Sequence, residues 1–182
     1  QYANKAPDKF RIDNLINYFQ YQIENNDKIT VKLNYELTKD NLDELASLNP
    51  YAVVLAAGGK QVVPPVPGVE KAALANDVLA GKITYDKKKV VVVGGGMTGL
   101  ETAELLGSQG NDVTVLEMLP TVGNGIFNFN VTKTVWALEK YGVTVGTQTR
   151  LDSINADSVT VFDTSVGQKT EISCDAVVLA IG

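Results

Sequence analysis

Hydrophobic and polar positions predict a series of helices and strands in the first part of the chain. Apolar side chains spaced three to five residues apart predict a helix with one apolar face over residues 9–26. Residues 29–33 alternate like a strand, and a short helix is predicted for 39–48. Residues 51–59, YAVVLAAGG, form an apolar run typical of a buried strand that ends in glycine. The proline-rich stretch at 61–70 is then predicted to be a connector.

The pattern of the second part predicts a βαβ unit followed by a small sheet. A strand begins near residue 88, a glycine-rich turn and a helix run to about residue 110, and a strand follows at 112–117. A further helix is predicted at 130–141 and a strand at 143–147. Three alternating runs separated by turn residues predict an antiparallel meander: 149–154, 158–162 and 169–173.

The glycine-rich turn has the spacing G-x-G-x-x-G, carried by Gly94, Gly96 and Gly99. In such a turn the first glycine allows a tight bend and the second allows the backbone to approach a pyrophosphate. The third lets the helix pack on the strand, and the N–H groups at the start of the helix face the phosphates. No G-K-[ST] follows, which disfavours nucleoside-triphosphate hydrolysis.

Glu117 ends the next strand and is the candidate ribose ligand. It lies 18 residues after Gly99, close to the spacing of about 20 that is expected for this acid. Its carboxylate can accept hydrogen bonds from both ribose hydroxyls and would repel a 2′-phosphate. Residues 118–122 contain no arginine or lysine, so the sequence favours NAD(H) over NADP(H). The competing interpretation is an ordinary βα turn followed by a solvated glutamate.

Two short stretches of the chain are nearly identical. Residues 52–58 read AVVLAAG and residues 176–182 read AVVLAIG, with six identities in seven positions; we call them the first copy and the second copy. We interpret the chain as two related nucleotide-binding units, the first of which lacks a glycine-rich leading half. Chance similarity between two buried strands is the competing interpretation.

Composition narrows the classes of function. The 182 residues carry a net charge of −5, no histidine and one cysteine, Cys174. Without histidine, Ser-His triads and imidazole metal sites are excluded, and one cysteine excludes an internal disulfide. The sequence contains no basic stripe of the kind that predicts nucleic-acid binding. It also contains no apolar run of about 18 residues, the length that predicts a membrane span. The chain begins at Gln1 without a targeting segment, and we expect a fragment of a cytoplasmic protein.

These residues resemble a known family. The stretch VVVVGGGMTGLETAELLGSQGNDVTVLE (90–117), with NDVLAGK at 76–82 and the two copies, is similar to the pyridine-nucleotide reductase half of old-yellow-enzyme-like flavoproteins. That group includes 2,4-dienoyl-CoA reductase, 2-enoate reductase and NADH:flavin oxidoreductase. The resemblance implies an α/β fold in which a Rossmann-like NAD(P)-binding domain, with a central parallel sheet and a small antiparallel meander, is attached to a partial FAD-binding-type α/β domain. It implies the C-terminal part of the FAD-type domain at 1–58, a connector at 59–87 and the NAD(H) domain at 88–182.

The resemblance also implies which residues contact cofactors. Glu117 matches the ribose ligand, with Met118 beside it, and Glu101 matches a glutamate that lies near the nicotinamide in related flavoproteins. The competing interpretation of Glu101 is an exposed acid that the helix dipole stabilises. The phosphate loop and the two exit loops complete the expected set: Gly94, Gly95, Gly96, Met97, Thr98, Gly99, Ala180, Ile181 and Gly182, with Ala57 and Gly58 on the FAD side. No catalytic residue and no metal ligand are expected.

In this family the parent enzyme passes hydride from NADH to FAD and electrons onward to an enoate-type or other acceptor. The resemblance therefore implies NAD(H) as the cofactor here and FAD in the full-length parent, with an incomplete FAD site in this chain. FMN and an iron–sulfur cluster in modules outside the chain stay open. The expected partners are the nicotinamide dinucleotide and the missing flavin and barrel modules, with a homo-oligomer left open. We expect the fragment alone to be inactive.

Three other functions stay open on the residues alone. The chain could be a non-catalytic dinucleotide-binding or sensing module in which 1–58 docks a partner. The glycine turn could bind FAD, although it follows a strand and a connector, whereas an FAD fingerprint usually opens its chain. A methyltransferase also pairs a glycine loop with an acid after the second strand, and Gly99 and the meander argue against it.

Overall fold

The structure is a computed structural model that describes residues 3–7 and 9–181. It consists of two compact units. The larger unit contains Gln1–Asp13 and Gln61–Gly182, and the smaller unit is Asn14–Lys60. No helix in the described part of the chain is both long enough and apolar enough to cross a membrane.

The described residues form five α-helices and eight strands. The helices are α1 (Phe10–Glu24), α2 (Leu42–Ser47), α3 (Ala75–Leu79), α4 (Met97–Ser108) and α5 (Asn128–Lys140). The strands are β1 (Ala73–Leu74), β2 (Lys89–Val93), β3 (Asp112–Leu116), β4 (Thr144–Gly146), β5 (Thr149–Ile154), β6 (Ser158–Asp163), β7 (Gln168–Ser173) and β8 (Ala176–Leu179). Two 3₁₀ turns, Lys39–Asn41 and Val69–Lys71, precede α2 and β1.

A five-stranded parallel sheet with the order β1-β8-β2-β3-β4 forms the centre of the larger unit. Val92 of β2 pairs with Val115 of β3 on one side and with Val178 of β8 on the other. Alternate residues of β2 supply two cores. Val90 and Val92 pack with α4, and the intervening valines pack with the meander. Because both faces are covered, the strand is an uninterrupted apolar run.

The antiparallel meander of β5, β6 and β7 covers one face of the parallel sheet. Leu151 and Val161, which are paired in register, are both buried in that core. The register shifts between Leu151 and Ser153, which makes Asp152 the extra residue of a β-bulge. Parallel sheet, helices and meander together confirm the predicted α/β fold.

The smaller unit contains most of α1 and all of α2, and its described residues form no strand. The predicted helices at 9–26 and 39–48 are confirmed. The strands predicted at 29–33 and within 51–59 are wrong. Val54 and Leu55 have relative exposures of 87% and 88%, and an apolar run of this kind forms a strand only when neighbouring strands pair with it.

The predicted connector carries structure that the residue pattern did not reveal. Within the connector at 59–87, residues 73–79 form β1, which pairs with β8, and α3, whose Ala75 and Val78 are buried. The beginning of the connector runs along the end of β8. The Val62 N–H donates to the Ile181 carbonyl oxygen at 3.1 Å, and Gln61 Nε2 donates to the Leu179 carbonyl oxygen at 3.3 Å.

Candidate functional site

The carboxyl ends of β2, β3 and β8 meet at one edge of the parallel sheet and open into a cleft of about 530 Å³. The glycine loop, the segment after β3, the start of β5 and the chain after β8 line this cleft, together with Pro64 and Val66. Open α/β sheets bind their ligands at this edge. The cleft also lies within the range of about 300–1,000 Å³ that small-molecule sites occupy.

Each of the three fingerprint glycines meets a different requirement. Gly94 has a φ of +116°, and a Cβ there would lie 2.6 Å from the Ala180 carbonyl oxygen. A Cβ on Gly99 would overlap the Gly94 carbonyl oxygen. A Cβ on Gly96 would meet no atom within 4 Å, because this residue faces the cleft. Two glycines are therefore needed for the turn and for packing of α4, whereas Gly96 leaves room for a ligand.

Glu117 closes the glycine loop from the end of β3. Its Oε2 accepts a hydrogen bond from the Gly95 N–H at 2.7 Å, and its Oε1 accepts one from the Leu119 N–H at 2.8 Å. A Cβ on Gly95 would lie 2.8 Å from Val122 Cγ1 and 2.9 Å from Glu117 Cβ and Oε2, so a larger residue at the second position of the motif would force these side chains to shift. The carboxylate keeps acceptor capacity for further donors, since an ionised carboxylate has about four lone-pair positions.

The amino end of α4 faces the same loop. Gly96 is its N-cap, and the first intrahelical bond runs from the Leu100 N–H to the Gly96 carbonyl oxygen. The N–H groups of the first turn have no intrahelical acceptor and carry the positive end of the helix dipole. Met97 and Thr98 lie in that turn. An anion at this end of the helix would therefore meet both hydrogen-bond donors and positive potential.

The structure brings most of the predicted phosphate and ribose residues to one cleft. Those that line it are Gly94, Gly95, Gly96, Glu117, Met118, Ala180 and Ile181. Gly99 packs behind the loop, and Gly182 lies outside the described residues. Ala57 and Gly58 belong to the smaller unit, where both are exposed. Their predicted role on the FAD side stays a prediction.

Glu101 lies in a separate polar hollow of about 200 Å³, which Met97 also lines. Its carboxylate forms an ion pair with Lys9 Nζ at 2.8 Å, and its side chain is 13% exposed. The predicted position near a nicotinamide stays a prediction. The competing interpretation of an exposed first-turn acid is wrong, because Glu101 lies beyond the first turn of α4 and its side chain is largely buried against Lys9.

Arg150 and Thr149 are cleft residues that sequence reasoning missed. The Thr149 N–H donates to the Glu117 carbonyl oxygen at 2.8 Å, which sets the start of β5 beside the end of β3. No local motif marks these residues, because a long-range backbone pairing brings them to the cleft. The available signal was the predicted meander that begins at residue 149.

Cys174 is buried in the core between the meander and the sheet. Burial raises the pKa of its thiol, and the nearby Asp175 and Asp157 raise it further. A thiol of this kind stays protonated near neutral pH and is a weak nucleophile. Redox chemistry at this cysteine is therefore disfavoured.

The family described as pyridine nucleotide-disulphide oxidoreductase matches residues 4–182 of the chain. NADH oxidase of Thermoanaerobacter brockii is 31% identical over 185 residues, which cover 99% of this chain and 28% of that protein. Bilirubin reductase of Mediterraneibacter gnavus strain CC55_001C is 32% identical over 189 residues, with 99% and 27% covered. The chain thus spans little more than a quarter of the length of these relatives.

A solved structure of 2-naphthoyl-CoA reductase in complex with 2-naphthoyl-CoA has the same fold over 99% of this chain. The TM-score is 0.84, the sequence identity is 31%, and the match covers 27% of that protein.

Proposed function

The chain belongs to the pyridine nucleotide-disulphide oxidoreductase family, and we propose that its cleft binds NAD(H) for an enzyme that passes hydride from NADH to FAD. One observation carries this proposal. The glycine loop, the amino end of α4 and the Glu117 carboxylate converge on a single cleft at the carboxyl edge of the sheet. These are the groups that a dinucleotide needs for its pyrophosphate and its adenosine ribose.

The residues of the cleft fit such a ligand. The open space in front of Gly96 lets the backbone approach a pyrophosphate, and the first-turn N–H groups of α4 can donate to it. Glu117, already oriented by the Gly95 and Leu119 N–H groups, would accept from the ribose hydroxyls. The nicotinamide supplies hydride when it is bound, and the protein binds and orients it. A 2′-phosphate beside Glu117 would meet like charge, which supports a preference for NADH.

We assign residues 88–182 to the NAD(H) domain, 59–87 to a connector and 1–58 to the C-terminal part of an FAD-binding-type domain. The parent enzyme would be an old-yellow-enzyme-like flavoprotein that reduces an enoate, a related acyl-CoA or oxygen. The names of the relatives, an NADH oxidase and two reductases, support this assignment. One G-x-G-x-x-G fingerprint occurs in the chain, and we assign it to NAD(H). FAD binding and turnover would then need residues beyond these 182.

A fluorescence titration of the purified chain with NADH and NADPH tests the proposal. We expect saturable NADH binding at least about tenfold tighter than NADPH binding, a difference of about 1.4 kcal/mol. Glu117→Gln keeps the size of the side chain and removes its charge, so the preference should narrow to less than about threefold. Glu139→Gln, an exposed position on α5, makes the same change in net charge and should leave both affinities unchanged.

Two outcomes would overturn this function. The first is the absence of saturable binding of either nucleotide to a chain whose circular dichroism shows the folded state. The second is a stoichiometric yellow flavin on the purified chain, because that would give the fingerprint to FAD.

A further inference from the structure

Arg150 is the one cation among the described residues that line the cleft. The backbone of β5 carries it there. The Thr149 N–H donates to the Glu117 carbonyl oxygen at 2.8 Å, and the Gln148 N–H donates to the Leu119 carbonyl oxygen at 3.0 Å. Arg150 therefore follows directly after the residue that is hydrogen-bonded to the end of β3. Under the proposed function, Arg150 lies at the adenosine end of the cleft, where the 2′-phosphate of NADPH would lie.

The Arg150 guanidinium is already engaged by a neighbouring carboxylate. Its Nε and Nη2 donate to Asp152 Oδ1 at 3.2 and 3.0 Å. The guanidinium carbon also lies 5.0 Å from the centre of the Phe162 ring, on the strand paired with β5. The ring and the carboxylate together hold the guanidinium in one orientation, and the carboxylate also compensates its positive charge.

Asp152, two residues after Arg150 on β5, is the extra residue of the β-bulge. In a regular strand, residues 150 and 152 share a face, and residue 152 would pair across to β6. Here the register passes from Leu151 to Ser153, so Asp152 has no cross-strand partner in the ladder. Its second oxygen, Oδ2, is 2.7 Å from Lys169 Nζ on β7. The carboxylate thus bridges two cations and is only 16% exposed, whereas their side chains are 51% and 64% exposed.

The charge balance at this position bears on which nucleotide the cleft accepts. A free arginine binds phosphate through two parallel N–H donors and would favour NADPH. Lys169 first and then Arg150 lower the pKa of the Asp152 carboxyl, so the carboxylate stays ionised at neutral pH. A 2′-phosphate would have to displace a carboxylate that Lys169 also binds.

We propose that Asp152 is a specificity-determining residue that withholds Arg150 from a 2′-phosphate, and that it supports the preference for NADH together with Glu117. The inference rests on the proposed NAD(H) site. It predicts that removal of the Asp152 carboxylate would let Arg150 bind the 2′-phosphate, so that the cleft would bind NADPH more tightly.

The test measures dissociation constants for NADH and NADPH with the wild-type chain, Asp152→Asn and the double variant Arg150→Gln/Asp152→Asn. Asp152→Asn should tighten NADPH binding at least about fivefold, the effect of one partly exposed charge-assisted hydrogen bond. NADH binding should stay within about twofold. The double variant should lose the gain, because Arg150 supplies it. Asp157→Asn, at an exposed turn position after β5, matches the change in net charge and should alter neither constant.

Each other outcome contradicts a particular part of the proposal. Unchanged NADPH binding in Asp152→Asn, with normal NADH binding, would overturn the role of Asp152 and leave the proposed function standing. A gain that survives in the double variant would assign the effect to Lys169 or to general charge, and would overturn the role of Arg150. A wild-type chain that binds neither nucleotide would overturn both proposals.

The single variant Arg150→Gln keeps the test decisive if Asp152→Asn does not fold. Because Arg150 is withheld in the wild-type chain, its loss should change NADPH binding by less than about twofold. A tenfold weakening of NADPH binding in this variant would mean that Arg150 already binds the 2′-phosphate, which contradicts the proposal.

Discussion

The two copies of the AVVLA sequence have opposite environments. In the second copy, Val178 is fully buried and pairs with Val92 in the centre of the parallel sheet. In the first copy, the equivalent Val54 is 87% exposed and forms no strand. The same residues thus give a central strand in one place and irregular backbone in the other. The preference of valine and leucine for strands describes how well they pack against neighbours, and it does not by itself form a strand.

The neighbours of the second copy also connect it to the candidate site. The Ala180 N–H donates to the Val93 carbonyl oxygen at 2.8 Å, and the Ala180 carbonyl oxygen lies against Gly94. The strand therefore delivers its last residues to the cleft at the point where the glycine loop turns. Sheet membership, more than the sequence of the copy itself, decides which copy takes part in the proposed nucleotide site.

The largest effect is expected from placing a charge at equivalent positions of the two copies. Val178→Asp would bury a carboxylate without a partner and should lower the free energy of unfolding by more than about 4 kcal/mol. Val54→Asp should change it by less than about 0.5 kcal/mol, because that side chain is exposed. Urea denaturation followed by circular dichroism measures both values. Equal losses in the two variants would contradict the difference in burial.

A smaller effect is expected from alanine at two glycines. Gly96 follows the apolar run of β2, and Gly59 follows the first copy. A Cβ on Gly96 or on Gly59 would meet no atom within 4 Å, so alanine at either position should leave the unfolding midpoint nearly unchanged. Gly96→Ala should nevertheless weaken NADH binding at least about tenfold, or 1.4 kcal/mol, because the methyl group would fill the space next to the pyrophosphate. Gly59→Ala should bind NADH as the wild type does.

Nucleotide titration and thermal unfolding of these two variants are the required measurements. Normal NADH binding by Gly96→Ala would show that the open face of the loop is not where the dinucleotide binds. A fall in the unfolding midpoint of the same variant would show that the loop is packed more tightly than the open space in front of Gly96 indicates.

The smallest effect concerns the ion pairs of the meander, which has no counterpart among the described residues before the first copy. Lys169 and Arg150 lower the pKa of the Asp152 carboxyl below its usual 3.8. A depressed pKa means stabilisation that is present above 3.8 and is lost as the pH falls through the folded-state pKa. Asp152→Asn should therefore lower the melting temperature at pH 7, and the difference should shrink progressively below pH 3.8. A difference that stays constant down to pH 2 would rule out the ionised carboxylate as its cause.

Much of the larger unit could be predicted from the sequence because its signals are local. The valine run of β2, the glycines before α4 and the alternating meander strands each determine their own conformation. β1 was missed because two residues are too short to show any periodicity. The strand within 51–59 was predicted wrongly for the opposite reason, since its pattern is strong and the paired neighbours that a strand needs are not visible in a local pattern.

The candidate site also has one part that the sequence predicted and one part that it did not. The phosphate loop and Glu117 lie within one βαβ unit, so spacing along the chain identified them. Arg150 is 33 residues beyond Glu117, and long-range backbone hydrogen bonds from Gln148 and Thr149 to the segment after β3 bring it to the cleft. Its partner Asp152 lies at a β-bulge, which no residue pattern marked. Long-range register is the information that the sequence alone did not provide.

Hydrogen–deuterium exchange, read by mass spectrometry with and without saturating NADH, tests the central claim most directly. Without nucleotide, the amides of β8 should exchange at least about a hundredfold more slowly than those of residues 52–57. With NADH, exchange should slow further at residues 94–99 and 117–119, where the loop and the Glu117 carboxylate would meet the ligand. Equal exchange in the two copies, or an unchanged glycine loop at saturating NADH, would contradict the account.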